Sequence, residues 1–352
     1  GEGAQAHVCL VQAKRPRSHR RRRHEAVFAM KVISKRSLRD EQRNEAHRDR
    51  KAIADRKNRE LNALSGLPWN PFIAGVVDAF IDSHNTYIML EYAPCATLYE
   101  LQERPWQPKV AKFYFANIAL GLEFLHSHGI VHRDIKTENV LINADGYAMI
   151  TDMGYAHRVD AATDWRGFHI GTLEFMSPEV VFLNYETFEE RFACDWWSLA
   201  VILFELLFKK PPVQGCSIDE LEDELFDERQ TASIDDKTMP PLLRDYFRAA
   251  FKYDISRRRC CRSVVHKGTL VNEEIRQEPY LSDIPWGRIE RRIELAPLVA
   301  DPAPDPTTAW RAPFPMDIKV PGLRSKRPSA RFLDDDILQD EDLRPKKKRR
   351  FL

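Results

Sequence analysis

Asp134, Lys136 and Asn139 lie within the stretch Ile130-Val131-His132-Arg133-Asp134-Ile135-Lys136-Thr137-Glu138-Asn139, and Asp152 follows in Asp152-Met153-Gly154. Asp134 can accept the proton of a hydroxyl, Lys136 can neutralise a phosphate, and Asn139 and Asp152 offer oxygen ligands suited to magnesium. Together they would serve phosphoryl transfer, whose loose transition state asks for positioning and charge neutralisation more than for covalent chemistry. Upstream, Lys31 closes Ala29-Met30-Lys31, where its ammonium can reach α/β-phosphates, and Glu60 on a helical stretch can hold it. The chain opens on Gly1-Glu2-Gly3-Ala4-Gln5-Ala6-His7-Val8. Glycines there let backbone N–H groups approach phosphate oxygens, although a plain turn between strands has the same pattern. A lone Lys–Glu pair is equally a surface salt bridge of about 0–1 kcal/mol. The order and spacing of the whole set give each residue its meaning.

These groups need elements to bring them together. Residues 7–11 and 26–33 carry β-rich patterns, separated by a basic loop with Arg20-Arg21-Arg22-Arg23 that self-repulsion should expose. Residues 38–64 read as a helix, and 72–80 and 86–91 as two further strands. Residues 1–91 thus form a small sheet with one helix. Helices dominate residues 92–280. Phe115, Ile118, Ala119, Leu122 and Leu125 repeat at helical spacing, residues 195–208 are apolar nearly all round and read as a buried central helix, and 242–251 reads as another. Residues 281–352 form a tail rich in proline, then acidic, then basic, with a composition that favours an extended chain. The expected class is α+β: a β-rich first part with one main helix, then a larger, mainly helical part.

The 352 residues suffice to bury a substantial core, and 43% hydrophobic and 30% charged residues are ordinary for a globular chain. A formal net charge of +1 argues against a polyelectrolyte built for nucleic acid, and no aromatic-rich platform accompanies the basic segments. No apolar run approaches the roughly 20 residues needed to span a bilayer, so no membrane role is expected. Six scattered cysteines without metal-ligand spacing point to reduced thiols in an intracellular protein. The opening on Gly1 suggests that part of a first strand is missing.

The ordered set resembles the eukaryotic protein kinase family over residues 1–280, and more narrowly its AGC group, through Phe28-Ala29-Met30-Lys31-Val32-Ile33-Ser34-Lys35, Asn70-Pro71-Phe72-Ile73 and Cys194-Asp195-Trp196-Trp197-Ser198-Leu199. The resemblance implies a two-lobed fold that binds ATP and Mg2+ in its cleft and phosphorylates Ser/Thr hydroxyls of protein substrates. It assigns Gly1, Glu2, Gly3, Ala4, Gln5 and Ala6 to a loop over the phosphates, and Lys31, Glu60, Asp134 and Lys136 to catalysis. Asn139 and Asp152 would hold the metal. The Glu91 carbonyl and Ala93 N–H would meet the adenine edge behind Leu90, with Val8, Ala29 and Leu141 sandwiching the ring. Leu64, Val76, His132 and Met153 would form an apolar stack between the lobes. Glu179 of Ser177-Pro178-Glu179 should pair with Arg258, and Asp195 should anchor the catalytic loop.

Departures from the pattern bear on regulation. Counting back from Gly171-Thr172 puts Phe168 where AGC kinases carry a phosphothreonine that Arg133 would grip; either Thr163 or Asp164 reaches Arg133 instead, or nothing does. Thr97 replaces a glutamate that reads an upstream arginine, while Glu138 and Glu205 remain to favour basic residues near the acceptor. A competing reading makes the chain a non-catalytic scaffold. Pro345-Lys346-Lys347-Lys348-Arg349-Arg350 resembles a nuclear import signal that an importin would bind, giving a nuclear and/or cytoplasmic location; a solvated basic tail is the alternative.

Overall fold

The computed structural model describes residues 6–12, 27–34, 60–61, 63–64, 66–103, 105–159, 171–183, 189–213, 215, 217–226, 238–266 and 268–298. The fold is α+β. Its first part is an antiparallel sheet of β1 (Ala6–Gln12), β2 (Val27–Ser34), β3 (Val76–Ile81) and β4 (Asn85–Glu91), in the order β1-β2-β4-β3. Alternation along β2 divides its side chains between two faces. Met30 and Val32 pack with Tyr87 and Phe80 in a small cluster, while Ala29 and Ile33, on the face shared with Lys31, pack against the main core. The expected strand over 72–80 begins only at Val76. Before it, Ile73 forms a single parallel bridge with Ile150, which draws residues 72–74 toward the helical part. Glu60, Leu61, Ala63 and Leu64 are helical and buried; the rest of the helix expected over 38–64 lies outside the described residues.

The second part is mainly helical: α1 (Leu98–Leu101), α2 (Pro108–Ser127), α3 (Pro178–Val181), α4 (Ala193–Phe208), α5 (Ile218–Phe226), α6 (Pro241–Ala250), α7 (Glu273–Gln277) and α8 (Trp286–Glu290). Proline opens α2, where its missing N–H costs no helical hydrogen bond. Gly121 in α2 permits a close approach, since a Cβ there would come within 2.8 Å of the Ile150 side chain and 3.0 Å of the Phe72 carbonyl. Helix α4 is buried along most of its length, as its uniform apolarity predicts. Short strand pairs complete this part: β5 (Ile130–Val131) with β8 (His157–Arg158), β6 (Val140–Ile142) with β7 (Ala148–Ile150), and β9 (Val264–His266) with β10 (Thr269–Val271).

The tail assigned from residue 281 is corrected in its first part. Leu281, Ile284 and Ile289 are buried, and Ala296 and Leu298 pack on the main core, so the folded body runs at least to 298. The apolar residues interspersed through 281–298 supply a packing face that overall composition conceals. The acidic and basic stretches beyond lie outside the described residues, as do Gly1, Glu2, Gly3, Ala4 and Gln5. Among the described residues Cys9, Cys95, Cys194, Cys260 and Cys261 are free thiols, and no helix is long and apolar enough to cross a membrane.

Candidate active site

Strand β2 presents Lys31 between two carboxylates, with Nζ 2.8 Å from Glu60 Oε2 and 2.7 Å from Asp152 Oδ1. Burial opposes the charge on Lys31, but Glu60 and Asp152 outweigh it and hold the ammonium above its ordinary pKa. Asp152 is likewise pushed up by burial, yet Lys31 and the Gly154 N–H pull it below the usual carboxylate range. Glu60 differs: complete burial raises its pKa more than Lys31 lowers it. Lys31 therefore stays cationic, with Asp152 as its firmly ionised partner.

Asp152 follows β7 with φ 60° and ψ 73°, a left-handed conformation uncommon outside glycine. Its Oδ1 accepts from the Gly154 N–H at 3.1 Å, and its side chain keeps 44% exposure. Asn139 precedes β6, which pairs with β7, and Thr151 N donates to the Asn139 carbonyl at 2.9 Å. The two residues thus stand at the feet of one hairpin. Asn139 Nδ2 donates to the Asp134 carbonyl and to Asp134 Oδ2 at 2.8 and 2.9 Å, so Oδ1 is the atom of this side chain that could ligate a cation. An amide oxygen and a partly exposed carboxylate are hard ligands that fit Mg2+, which takes few protein ligands and shares the rest of its shell with phosphate and water. Among the described residues there is no group of three or more His, Cys, Asp or Glu able to hold a metal by themselves.

Asp134, Lys136 and Thr172 meet at the other end. Thr172 Oγ1 donates to Asp134 Oδ1 at 2.8 Å, Lys136 Nζ donates to Thr172 Oγ1 at 2.7 Å, and Lys136 lies 3.3 Å from Asp134 Oδ2. The sequence used Thr172 only as a counting mark. A threonine beside a glycine carries no signal until the fold sets its hydroxyl on the Asp134 carboxylate.

The loop bearing these groups is fastened from beneath. Asp195, in the first turn of α4 and fully buried, accepts from the His132 and Arg133 backbone N–H groups, both at 2.8 Å. His126 Nε2 stands 2.9 Å from Asp195 Oδ2. Burial raises the Asp195 pKa, but His126, His132 and these hydrogen bonds bring it below the ordinary range. Arg133 takes φ 66°, a strained geometry worth about 1–3 kcal/mol that needs such fastening. Asp195 was foreseen as the anchor. His126, remote in sequence, was not.

The remaining predicted positions fall as follows. Val8 is 40% exposed on β1, opposite Lys31 in the β1–β2 register. Ala29 and Leu141 are half-buried, and Leu141 bridges to Thr97. Leu90 and Ala93 are buried, while the Glu91 carboxylate accepts from Trp69 Nε1 at 2.8 Å and Gly75 N at 3.2 Å. Leu64, Val76 and Met153 share the main core, and His132 is buried beside it. Arg258 meets Glu179 through two hydrogen bonds of 2.9 and 2.8 Å. Ala6 lies on β1, whereas Phe168, Thr163 and Asp164 lie outside the described residues.

Residues 1–268 match the protein kinase domain family. The chain belongs to that family. Among curated proteins it is similar to ribosomal protein S6 kinase 2 beta of Xenopus laevis, 30% identical over 84% of this chain and 43% of that protein. It is similar also to the cAMP-dependent protein kinase catalytic subunits of Dictyostelium discoideum, 30% identical over 69% of this chain and 35% of that protein, and of Schizosaccharomyces pombe, 28% identical over 84% and 52%. The chain therefore spans between about a third and a half of these relatives. These relatives are AGC serine/threonine kinases, the group that the stretches Phe28 to Lys35, Asn70 to Ile73 and Cys194 to Leu199 resemble. Kinase domains of this kind use ATP with Mg2+, which suits the ligands at Asn139 and Asp152.

Proposed function

We propose that the chain is a serine/threonine protein kinase that moves the γ-phosphate of ATP to hydroxyls of protein substrates in a basic sequence context. The observation that carries this reading is the placement of a threonine hydroxyl between Asp134 and Lys136, with the carboxylate accepting and the ammonium donating. A substrate hydroxyl presented to the same pair would meet a proton acceptor and a counter-charge for the phosphoryl group. Lys31, fixed by Glu60, orients the nucleotide phosphates. Val8, Ala29 and Leu141 offer apolar surface to the adenine, and the Glu91 carbonyl and Ala93 N–H its polar edge, in a cleft between two lobes. Asn139 and Asp152 would hold Mg2+, which when bound neutralises phosphate charge. By resemblance, the segment Gly1 to Ala6 would serve the phosphates.

The basic preference rests on Glu138, exposed beside Asn139, and on Glu205, half-buried with its Oε2 3.1 Å from Thr137 Oγ1. Magnesium-dependent phosphorylation of an arginine-bearing peptide, abolished by Asp134→Asn, is the expected result. A folded protein that binds ATP yet transfers no phosphate would instead support the scaffold reading. The C-terminal Lys346 to Arg350 run supports binding to an importin and a nuclear as well as cytoplasmic location; a fluorescent fusion that stays out of the nucleus would refute it.

A further inference from the structure

Residues 291–298 lie beyond the family match, yet they are laid across the far end of the β6–β7 hairpin, whose feet carry Asn139 and Asp152. Arg292 is the centre of this contact. Its guanidinium pairs with Asp145 in the hairpin turn, lies 4.7 Å over the Tyr147 ring, and donates from Nη1 to the Pro71 carbonyl at 3.2 Å. The Tyr147 hydroxyl donates to the Glu294 carbonyl at 2.6 Å. Tyr114 donates to the Gly146 carbonyl at 3.1 Å, and its hydroxyl also meets the Leu298 backbone. Gly146 has φ 80°, and a Cβ there would collide with the Leu298 carbonyl and Ala296, so the turn is shaped to receive the strap.

The Pro71 contact extends the hold to the other side of the hairpin. The next residue, Phe72, accepts from Ile150 N at 2.8 Å, and Ala74 N donates to the Ile150 carbonyl at 2.9 Å. Ile150 is two residues before Asp152. One side chain thus braces the hairpin turn and the segment that flanks β7, and both bear on the residue whose left-handed backbone sets the metal-facing carboxylate.

We infer that Arg292, with the strap 291–298, is a positioning clamp for the two magnesium ligands, so that this segment is a working part of the catalytic unit. The inference rests on the kinase reading above. The guanidinium suits the task because its planar fork serves two partners while its face stacks on an aromatic ring, which a lysine ammonium cannot reproduce together.

The test is calorimetric titration of the full chain with a non-hydrolysable ATP analogue, with Mg2+ and in EDTA. Wild type should bind more tightly with Mg2+. Arg292→Ala should lose about tenfold of that magnesium-dependent gain, the loss usual when a group supporting metal ligands is removed, while binding in EDTA stays unchanged. Arg292→Lys should recover part of it. Asp145→Asn, a change on a half-exposed side chain, should shift the gain in the same direction by less, and it decides the matter if Arg292→Ala yields no folded protein. A full magnesium gain in these variants, even with a lowered melting temperature, overturns the clamp. A wild type without any magnesium gain removes the kinase reading and the clamp with it.

Discussion

Arg258 meets Glu179 at 2.8 Å and Lys31 meets Glu60 at the same distance, yet the two pairs are built for different work. The first joins a fully buried guanidinium to both oxygens of one carboxylate, in the helical part and away from solvent. The second uses a compact ammonium shared between a buried carboxylate and Asp152, whose side chain is 44% exposed. An Arg fork with every contact filled fixes geometry. A lysine between two acids leaves a charge that a third anion can join. The difference separates an ion pair sealed inside the fold from one whose neighbour Asp152 stays open to solvent.

Removing one partner from each exposes the contrast. Glu179→Ala would strand an arginine that cannot lose its proton, and should cost about 3–5 kcal/mol of stability. The denaturation midpoint measures it, and a shift no larger than a surface mutation gives would refute the structural role. Lys31→Met strands Glu60, which burial already pushes toward its neutral form and which can take up a proton. Its stability loss should therefore be the smaller of the two. The sign follows from a folded pKa above the unfolded one: the deficit due to Glu60 is smallest below the unfolded glutamate pKa and grows as pH rises through the folded value. Activity should respond in the other order. Lys31→Met should lower phosphotransfer by about a hundredfold or more, while Glu179→Ala protein that remains folded keeps most of its turnover.

Thr172 offers a finer test at the other end of the site. Thr172→Ala removes a hydroxyl bonded to both Asp134 and Lys136, a charge-assisted pair of contacts worth about tenfold in rate. Thr172→Ser keeps the hydroxyl and should restore most of that rate. Steady-state kinetics on one peptide would distinguish a positioning hydroxyl from mere filling of space, for which serine and alanine would behave alike.

The contrast also explains what could be read in advance. Asp134, Lys136 and Asn139 sit in one loop, so their spacing alone declares them, and the apolar runs of α2 and α4 declare the helices that carry the loop. Lys31 and Glu60 become legible only in the company of that loop, because what joins them is sheet and helix packing and no local pattern. His126 and Thr172 were missed for the same reason: each acts through a partner far along the chain, with no periodicity to mark it. The stretch 281–298 was read as tail because proline and charge dominate the longer segment 281–352, whereas Leu281, Ile284 and Ile289, with Ala296 and Leu298, carry the packing.

Glu205 carries the smallest expected effect and the one most dependent on pH. Burial raises its pKa; the Thr137 hydroxyl bond and Lys209 pull it down, while Glu138 and Glu174 push it further up, and the balance lies above the ordinary glutamate value. A carboxylate that recognises an arginine must be ionised, so discrimination fades as pH falls toward that raised value, earlier than for an ordinary glutamate. The ratio of kcat/KM for an arginine-bearing peptide over its alanine counterpart should therefore decline from neutral to mildly acid pH in wild type. In Glu205→Gln the ratio should be lower at neutral pH and nearly flat. Equal ratios for the two proteins across the range would mean that Glu205 supports Thr137 and the loop around it without reading the substrate.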